Sequence, residues 1–589
     1  MKTVLFWLVT LITLFLMLAA LELNRNALWG FALCLLLAAG YIALHYTVLQ
    51  NSGWIVKFLI WLLWIGLFVG VFLLTWPPTK RVPAVEGNDP ARTDTVSVAQ
   101  GELRGVYTED GAVEVYAGIP YAKPPVGELR WKAPQEPDKW DGVFDADSFA
   151  PMSMQPVSMP LVDSLKQVIG YHDYKISLKD NYVAPVSEDS LYLNIWKPSG
   201  AAENLPVLVY VHGGSLQTGQ PWYGDYSGEG LARQGVIVVN MGYRLGVFGF
   251  FADGEALAED GTTGNYGMLD QIAALRWVKE NIAAFGGDPD NITLAGESAG
   301  AACVSALCTS PLAKGLFERA VMESSTVASK EPPHSFRLLD DALESGKKLM
   351  QRYGCASLAE LRALPADKLV DEAYTQCAMT VDGYFLEETP YESYIKGEYN
   401  GGAILHGYNS KESGPFILFS QANMKNFESK VGKAFKEHAD EVLAIYPVSS
   451  DEEAKAAWAE IWGALYFDYS HYCLDRLAGR NGQASYEYCF SKDNGRLGAW
   501  HSGEEMYLYG NIPDDSKLFD SRDRELSSEM QRYFVNFIRT GDPNGEGLPA
   551  WEDDPAGAKL MGFGDTTGMI NEKKLALFAV IDKMTGWGE

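Results

Sequence analysis

A serine set between glycines is the first feature of the chain that could do chemistry. Gly296-Glu297-Ser298-Ala299-Gly300 matches the pattern G-x-S-x-G, and Asn291-Ile-Thr-Leu-Ala295 before it reads as a short apolar strand. A serine on a sharp turn between a strand and a helix carries its hydroxyl out of the sheet. Glycines two residues to either side suit such a turn, because a Cβ at either place would collide with crowded backbone. Five residues alone are a weak signal, and a glycine-rich turn with a solvated serine reads the same way. Partners decide between the two. A serine hydroxyl is a poor nucleophile at neutral pH. It needs an imidazole to take its proton, an acid to orient that imidazole, and amide donors for the charge that develops on oxygen.

The elements around the serine come next. Pro206-Val-Leu-Val-Tyr-Val211 is a continuous apolar run, as expected of a strand buried on both faces, and Val236-Ile-Val-Val-Asn240 is a second. Val113 to Pro120 and the second half of Ser187 to Trp196 also read as strands. Tyr266 to Phe285 has the apolar period of an amphipathic helix, stopped by Gly286-Gly287-Asp288-Pro289. Strands alternating with helices predict an α/β fold with a large, mostly parallel sheet covered on both sides. The first buried strand runs into His212-Gly213-Gly214-Ser215, which resembles the H-G-G-G oxyanion loop of lipases and esterases. A plain glycine turn after a strand is the alternative.

Beyond these motifs, roughly Val98 to Trp587 resembles the type-B carboxylesterase family, the α/β-hydrolases that include cholinesterases. The resemblance is carried in order by Gly118-Ile-Pro-Tyr-Ala-Lys-Pro-Pro-Val126, Ser187-Glu-Asp-Ser-Leu-Tyr-Leu-Asn194, Tyr243-Arg-Leu-Gly246 and Gly264-Asn-Tyr-Gly-Met-Leu-Asp270. It continues through Phe285-Gly-Gly-Asp-Pro289 and the serine to Gly498-Ala-Trp-His501 and Thr540-Gly-Asp-Pro-Asn544. It implies an α/β-hydrolase fold, with Ser298 as nucleophile and His501 as base. Glu412, in Gly407-Tyr-Asn-Ser-Lys-Glu412, falls on the acid, and the order Ser, Glu, His is the one this fold uses. The oxyanion donors fall on the amides of Gly214, Ser215 and Ala299. Among competitors, His212 reads as a structural hydrogen-bonder beneath the loop and His406 as the end of a strand. Glu297 is expected as a buried, hydrogen-bonded carboxylate without a catalytic role.

Departures from the family pattern matter too. The third loop glycine is Ser215, which costs about 1 kcal/mol if its φ is positive. A family disulfide would join the positions of Ser153 and Ser190, and both are serine. Cys355 matches half of a second bridge whose partner position is Glu360. An ungapped match places Asp180 where cholinesterases carry a choline-binding tryptophan, which argues against that subfamily.

Three apolar runs open the chain: Val4 to Leu21, Leu28 to Leu49 and Trp54 to Trp76. Each approaches the ~20 residues a helix needs to cross a bilayer, and Trp29, Trp54 and Trp76 sit near the ends as interfacial anchors do. The expected organisation is a membrane region over 1–76 with three transmembrane helices, a linker over 77–95, and the hydrolase domain over 96–589. A cleaved signal peptide is the weaker reading of the first run, since two more follow. Three spans place the amino terminus and the main domain on opposite sides. Lys2 and Lys57 fall on one side and Arg25, Lys80 and Arg81 on the other, a difference of one residue towards a cytoplasmic domain.

The 589 residues carry 48 Lys and Arg against 76 Asp and Glu, a net charge of −28, which disfavours nucleic acid as a partner. The seven cysteines form no C-x-x-C pair, and the eight histidines no H-E-x-x-H, so the sequence carries no metal or cofactor motif. Together these readings predict a membrane-bound serine hydrolase of small-molecule carboxylic esters. A non-catalytic adhesion protein of the same fold is one alternative; an acyltransferase or thioesterase using the same triad is another. The ester and the oligomeric state are left open.

Overall fold

The computed structural model describes the chain apart from residues 1, 25, 77–84, 86–89, 157–184, 201–202, 333–335, 371, 373–375, 419, 494–498, 514–518 and 588–589. Asp180, Arg25, Lys80, Arg81, Gly498 and most of the expected 77–95 linker therefore lie outside the described residues. Contacts divide the chain into two compact units: one holds the three N-terminal helices, the other Pro83–Pro156 and Val186–Glu589.

The first unit contains α1 (Lys2–Leu23), α2 (Leu28–Leu44) and α3 (Trp54–Leu74), with α2 prolonged by a π-turn over His45–Leu49. Three stretches of 21, 22 and 21 residues are long and apolar enough to cross a membrane by length and composition. Several of their polar groups find one another. Asn26 is fully buried in the α1–α2 turn and donates to the Phe72 carbonyl and the Thr75 hydroxyl, while Trp61 Nε1 donates to Thr13 at 3.1 Å. Tyr41 and Trp64 stack at 4.5 Å.

The second unit is built on an eleven-stranded sheet. In chain order its strands are β1 (Val106–Tyr107), β2 (Val113–Pro120), β3 (Tyr192–Pro198), β4 (Leu205–Val211), β5 (Ile237–Met241), β6 (Gly287–Glu297) and β7 (Arg319–Glu323). They continue as β8 (Ile404–Asn409), β9 (Ser485–Phe490), β10 (Lys559–Phe563) and β11 (Thr567–Asn571). The spatial order is β11-β10-β9-β8-β7-β6-β4-β5-β3-β2-β1. All pairs from β5 to β10 are parallel, and the pairs towards both edges are antiparallel.

Alternation along β4 shows why its apolar run is continuous. Val207, Val209 and Val211 join one core with α4 (Tyr266–Asn281) and α5 (Ala299–Thr309). Leu208 and Tyr210 join the opposite core, where α9 (Ser521–Thr540) packs Leu526, Met530, Phe534 and Phe537. A strand covered on both faces has no polar side to show. Four more helices matter below: α6 (Phe427–Phe435), α7 (Asp451–Gly463), α8 (Tyr469–Asn481) and α10 (Leu575–Thr585). A π-turn over Ala464–Asp468 joins α7 to α8.

The expected strands and the expected helix are present. Tyr266 to Phe285 is α4 followed by a 3₁₀ turn, closed by Gly286 at φ 85°. His406 differs from expectation. It lies inside β8 rather than at its end, fully buried, with Nε2 2.9 Å from Asp475 and 2.8 Å from the Ser485 hydroxyl. A histidine can occupy a strand interior when buried partners take its ring nitrogens.

Candidate active site

Ser298 stands between β6 and α5 at φ 54°, ψ −122°, a sparsely populated region for a residue with a Cβ, and its amide donates to the Glu323 carbonyl at 2.8 Å. The flanking glycines are required by contact. A Cβ on Gly300 would lie 2.0 Å from the Val211 carbonyl, and one on Gly296 would lie 2.6 Å from the carbonyl carbon of Gly300. The turn is thus tight because α5 starts directly against the end of β4.

That same end of β4 leads into the glycine loop. A Cβ on Gly213 would meet the Glu297 carbonyl at 2.8 Å and Ser298 Cβ at 3.1 Å, so the loop lies against the serine turn. Gly214 has φ 105°, and Ser215 has φ 57°, the left-handed conformation that costs a serine about 1 kcal/mol. The amides of Gly214, Ser215 and Ala299 find no acceptor among the described residues. His212 is buried beneath the loop. Its Nδ1 donates to the Gly213 carbonyl at 2.9 Å, its ring stacks on Tyr243 at 4.6 Å, and burial lowers its pKa to about 4. It behaves as the structural hydrogen-bonder expected.

Residues far apart in sequence meet at the serine. His501 Nε2 lies 2.8 Å from Ser298 Oγ, and His501 Nδ1 lies 2.7 Å from the Glu412 carboxylate. A carboxylate only accepts, so Nδ1 carries the hydrogen and Nε2 is left to accept from the serine hydroxyl. Glu412 follows β8 and is 2% exposed; its Oε1 accepts from the Asn409 amide at 2.7 Å. Burial raises its pKa to about 8, the Asn409 amide opposing. A carboxylate so placed gains most when its partner turns positive, and the imidazole at 2.7 Å can do so.

More carboxyls crowd this corner than the sequence suggested. Glu297 is buried, accepts from the Ser502 hydroxyl at 2.6 Å and comes within 3.3 Å of His501 Nε2. Burial raises it to about 7, against the pull of His501. Glu504, accepting from Ser324 at 3.0 Å and from Asn409, is also raised to about 7, by burial and then by Glu412. Glu323 and Glu505, tied to Tyr509 and Tyr210, are held well above the usual range by burial. Rings close the other side of the imidazole: Phe467 at 4.7 Å and Phe416 at 5.1 Å. Sequence reading missed Glu504, Glu323, Phe416 and Phe467, none of which falls in a spaced motif.

The two departures from the family disulfides have visible substitutes. Ser153 and Ser190 are buried with hydroxyls 3.0 Å apart, and Ser153 donates to the Tyr243 carbonyl. Glu360 accepts from the Ala356 amide at 2.7 Å, and all seven cysteines are free thiols.

The sequence profile described as the carboxylesterase family matches residues 92–574. The chain belongs to the carboxylesterase family. Carboxylesterase 5A of Canis lupus familiaris is 34% identical over 523 residues, covering 81% of this chain and 87% of that protein. A fumonisin B1 esterase of Sphingopyxis macrogoltabida is 30% identical over 539 residues, covering 86% and 94%. The crystal structure of a carboxylesterase from Geobacillus stearothermophilus superimposes with a TM-score of 0.69 at 32% identity, covering 83% of this chain and all of that one. The protein is accordingly a carboxylic ester hydrolase of α/β-hydrolase fold, and small-molecule esters are the substrates its family implies.

Proposed function

We propose that this carboxylesterase cleaves esters through Ser298, His501 and Glu412, with the amides of Gly214, Ser215 and Ala299 as the oxyanion hole. The observation that carries the reading is the continuous hydrogen-bonded line Ser298 Oγ, His501, Glu412, with links of 2.8 and 2.7 Å. Ser298 Oγ attacks the carbonyl carbon as its proton passes to His501 Nε2. The carbonyl oxygen becomes an oxyanion held by the free amides. Collapse breaks the bond to the alkoxy oxygen, which takes the proton from His501 and leaves as alcohol. Water then repeats the sequence on the acyl-serine, releasing the acid. The Glu412 charge stabilises the imidazolium in both halves. Each step is carried by these side chains and water.

The catalytic domain is assigned to 96–589 and the membrane region to 1–76, the link between them being 77–95. Three apolar helices of spanning length support a multi-pass anchor. The basic-residue count and the six free thiols of the catalytic domain support its placement on the cytoplasmic face.

Turnover of a short-chain nitrophenyl ester by the purified full-length chain tests the chemistry. Ser298→Ala is expected to lose it while the thermal unfolding transition stays in place, and undiminished turnover would remove Ser298 from the mechanism. Protease added to intact cells tests the side: the domain is expected to stay uncut until the membrane is opened.

A further inference from the structure

Beyond the rings that face His501 lies a cavity of about 280 Å³. Helices α6, α7, α8 and α10 and the π-turn form its walls, and Ser329 and Glu331 stand on the loop beside it. Its lining is aromatic, with Trp458, Trp462, Tyr466 and Tyr469 as the large surfaces. The steps Ser298, His501 and Glu412 carry out do not use it.

The polar groups in the wall define what could bind. Ser470 donates its hydroxyl hydrogen to the Phe467 carbonyl at 2.8 Å, Thr585 donates to the Ile581 carbonyl at 2.9 Å, and Tyr469 donates to Asp582 at 2.7 Å. Each hydroxyl oxygen is thereby left as an acceptor, while Trp458 Nε1 is a buried donor with no partner among the described residues. Glu331, exposed, has no ion-pair partner among the described residues, whereas neighbouring Lys330 is spent on the Gly586 carbonyl at 2.9 Å. Lys430 stands 4.9 Å over Trp458 and takes one face of that ring. Three hydroxyl acceptors and the Glu331 carboxylate outnumber the single Trp458 donor, so the wall favours a ligand with N–H donors or positive charge over an anion.

The cavity is also in line with the reaction centre. Trp462 stacks on Tyr466 at 4.1 Å and on Phe416 at 5.4 Å, and Phe416 meets the His501 ring edge-on at 5.1 Å. Trp462 also lies 6.0 Å from Phe467, which packs on His501 at 4.7 Å. One wall of the cavity is therefore a single ring removed from the imidazole itself. Close-packed rings move together, so a ligand that shifts Trp462 shifts what holds His501.

We infer that this cavity is a second binding site, taking a planar aromatic amine, and that its occupation alters turnover at Ser298 without blocking it. The amine sits at Glu331 and the ring lies among Trp458, Trp462 and Tyr466.

Three indoles of matched ring and different charge test this on the full-length protein: tryptamine, indole and indole-3-acetate. Calorimetric titration is run before and after a fluorophosphonate has been used to block the catalytic serine. Tryptamine is expected to bind about tenfold tighter than indole-3-acetate. Binding is expected to persist after phosphonylation and to change kcat for a short nitrophenyl ester at least about twofold in a non-competitive pattern. Glu331→Gln, at an exposed position, brings tryptamine to the affinity of indole. Ala434→Phe, which fills the cavity from α6, abolishes binding with basal turnover retained. Loss of binding on phosphonylation, competitive kinetics, equal affinities for the three indoles, or full affinity in Ala434→Phe would each overturn the inference. Failure of the serine to label bears on the mechanism instead, and leaves the Ala434→Phe comparison to decide the cavity.

Discussion

Replacing Glu412 by Gln probes the triad at its most informative point. The side chain keeps its shape but loses its charge and one acceptor. Oε1 is committed to the Asn409 amide at 2.7 Å, so the glutamine must keep its carbonyl oxygen there and turn its NH₂ towards His501 Nδ1. That reverses the imidazole: Nδ1 has to accept, the hydrogen moves to Nε2, and Nε2 can no longer take the proton of Ser298. The charge loss adds to this. A carboxylate and an imidazolium about 4 Å apart at an effective dielectric of about 20 interact by roughly 4 kcal/mol. Each ~1.4 kcal/mol is a factor of ten in rate, so kcat should fall by about three powers of ten. The assay is steady-state hydrolysis of a short nitrophenyl ester at pH 8, with KM followed alongside. KM should change little, because the acid touches the imidazole and not the ester. A fall in kcat of less than about tenfold would refute the assignment of Glu412 and of the tautomer it fixes.

Other consequences can be checked directly. Ser215→Gly removes a Cβ from a residue at φ 57° and should stabilise the chain by about 1 kcal/mol in denaturant unfolding, with ester turnover kept; no gain would mean the loop relaxes around the serine. Glu504, raised to about 7 from the ordinary glutamate value near 4.5 by burial and Glu412, binds its proton more tightly when folded. Stability should therefore fall as pH rises from about 4.5 to about 7, and Glu504→Gln should flatten that decline in thermal melts across the window. Unchanged pH dependence would exclude Glu504 as a source. Finally, Ser153→Cys with Ser190→Cys places two sulfurs where hydroxyls now lie 3.0 Å apart. Under mild oxidation the pair should close and add about 3–4 kcal/mol, read by thiol titration and melting. Two persistently free thiols would show that the backbone does not permit the bridge.

Much of the central sheet was legible because it rests on periodicity. β4 and β5 read as unbroken apolar runs, since both faces are covered, and the helix after Asn265 announced itself by its period and by Gly286 at its end. The serine turn was legible for a steric reason, now seen as the 2.0 Å approach of a Gly300 Cβ to Val211. Ser298, Glu412 and His501 were named from motifs carried by resemblance, and the fold brings those positions within hydrogen-bonding distance. His406 was misplaced because nothing local reveals partners such as Asp475, 69 residues away. The carboxyls Glu323 and Glu504 and the rings Phe416 and Phe467 stayed hidden for the same reason. Their roles come from long-range packing around His501, and no short spacing encodes that.

The most direct test of the central claim is where an ester-mimicking electrophile attaches. Full-length protein is treated with a fluorophosphonate, digested and mapped by mass spectrometry, with His501→Ala in parallel. One equivalent on Ser298, with labelling slowed at least about a hundredfold in His501→Ala, is the predicted result. Stoichiometric label on another residue, or equal rates in the two proteins, would contradict the account.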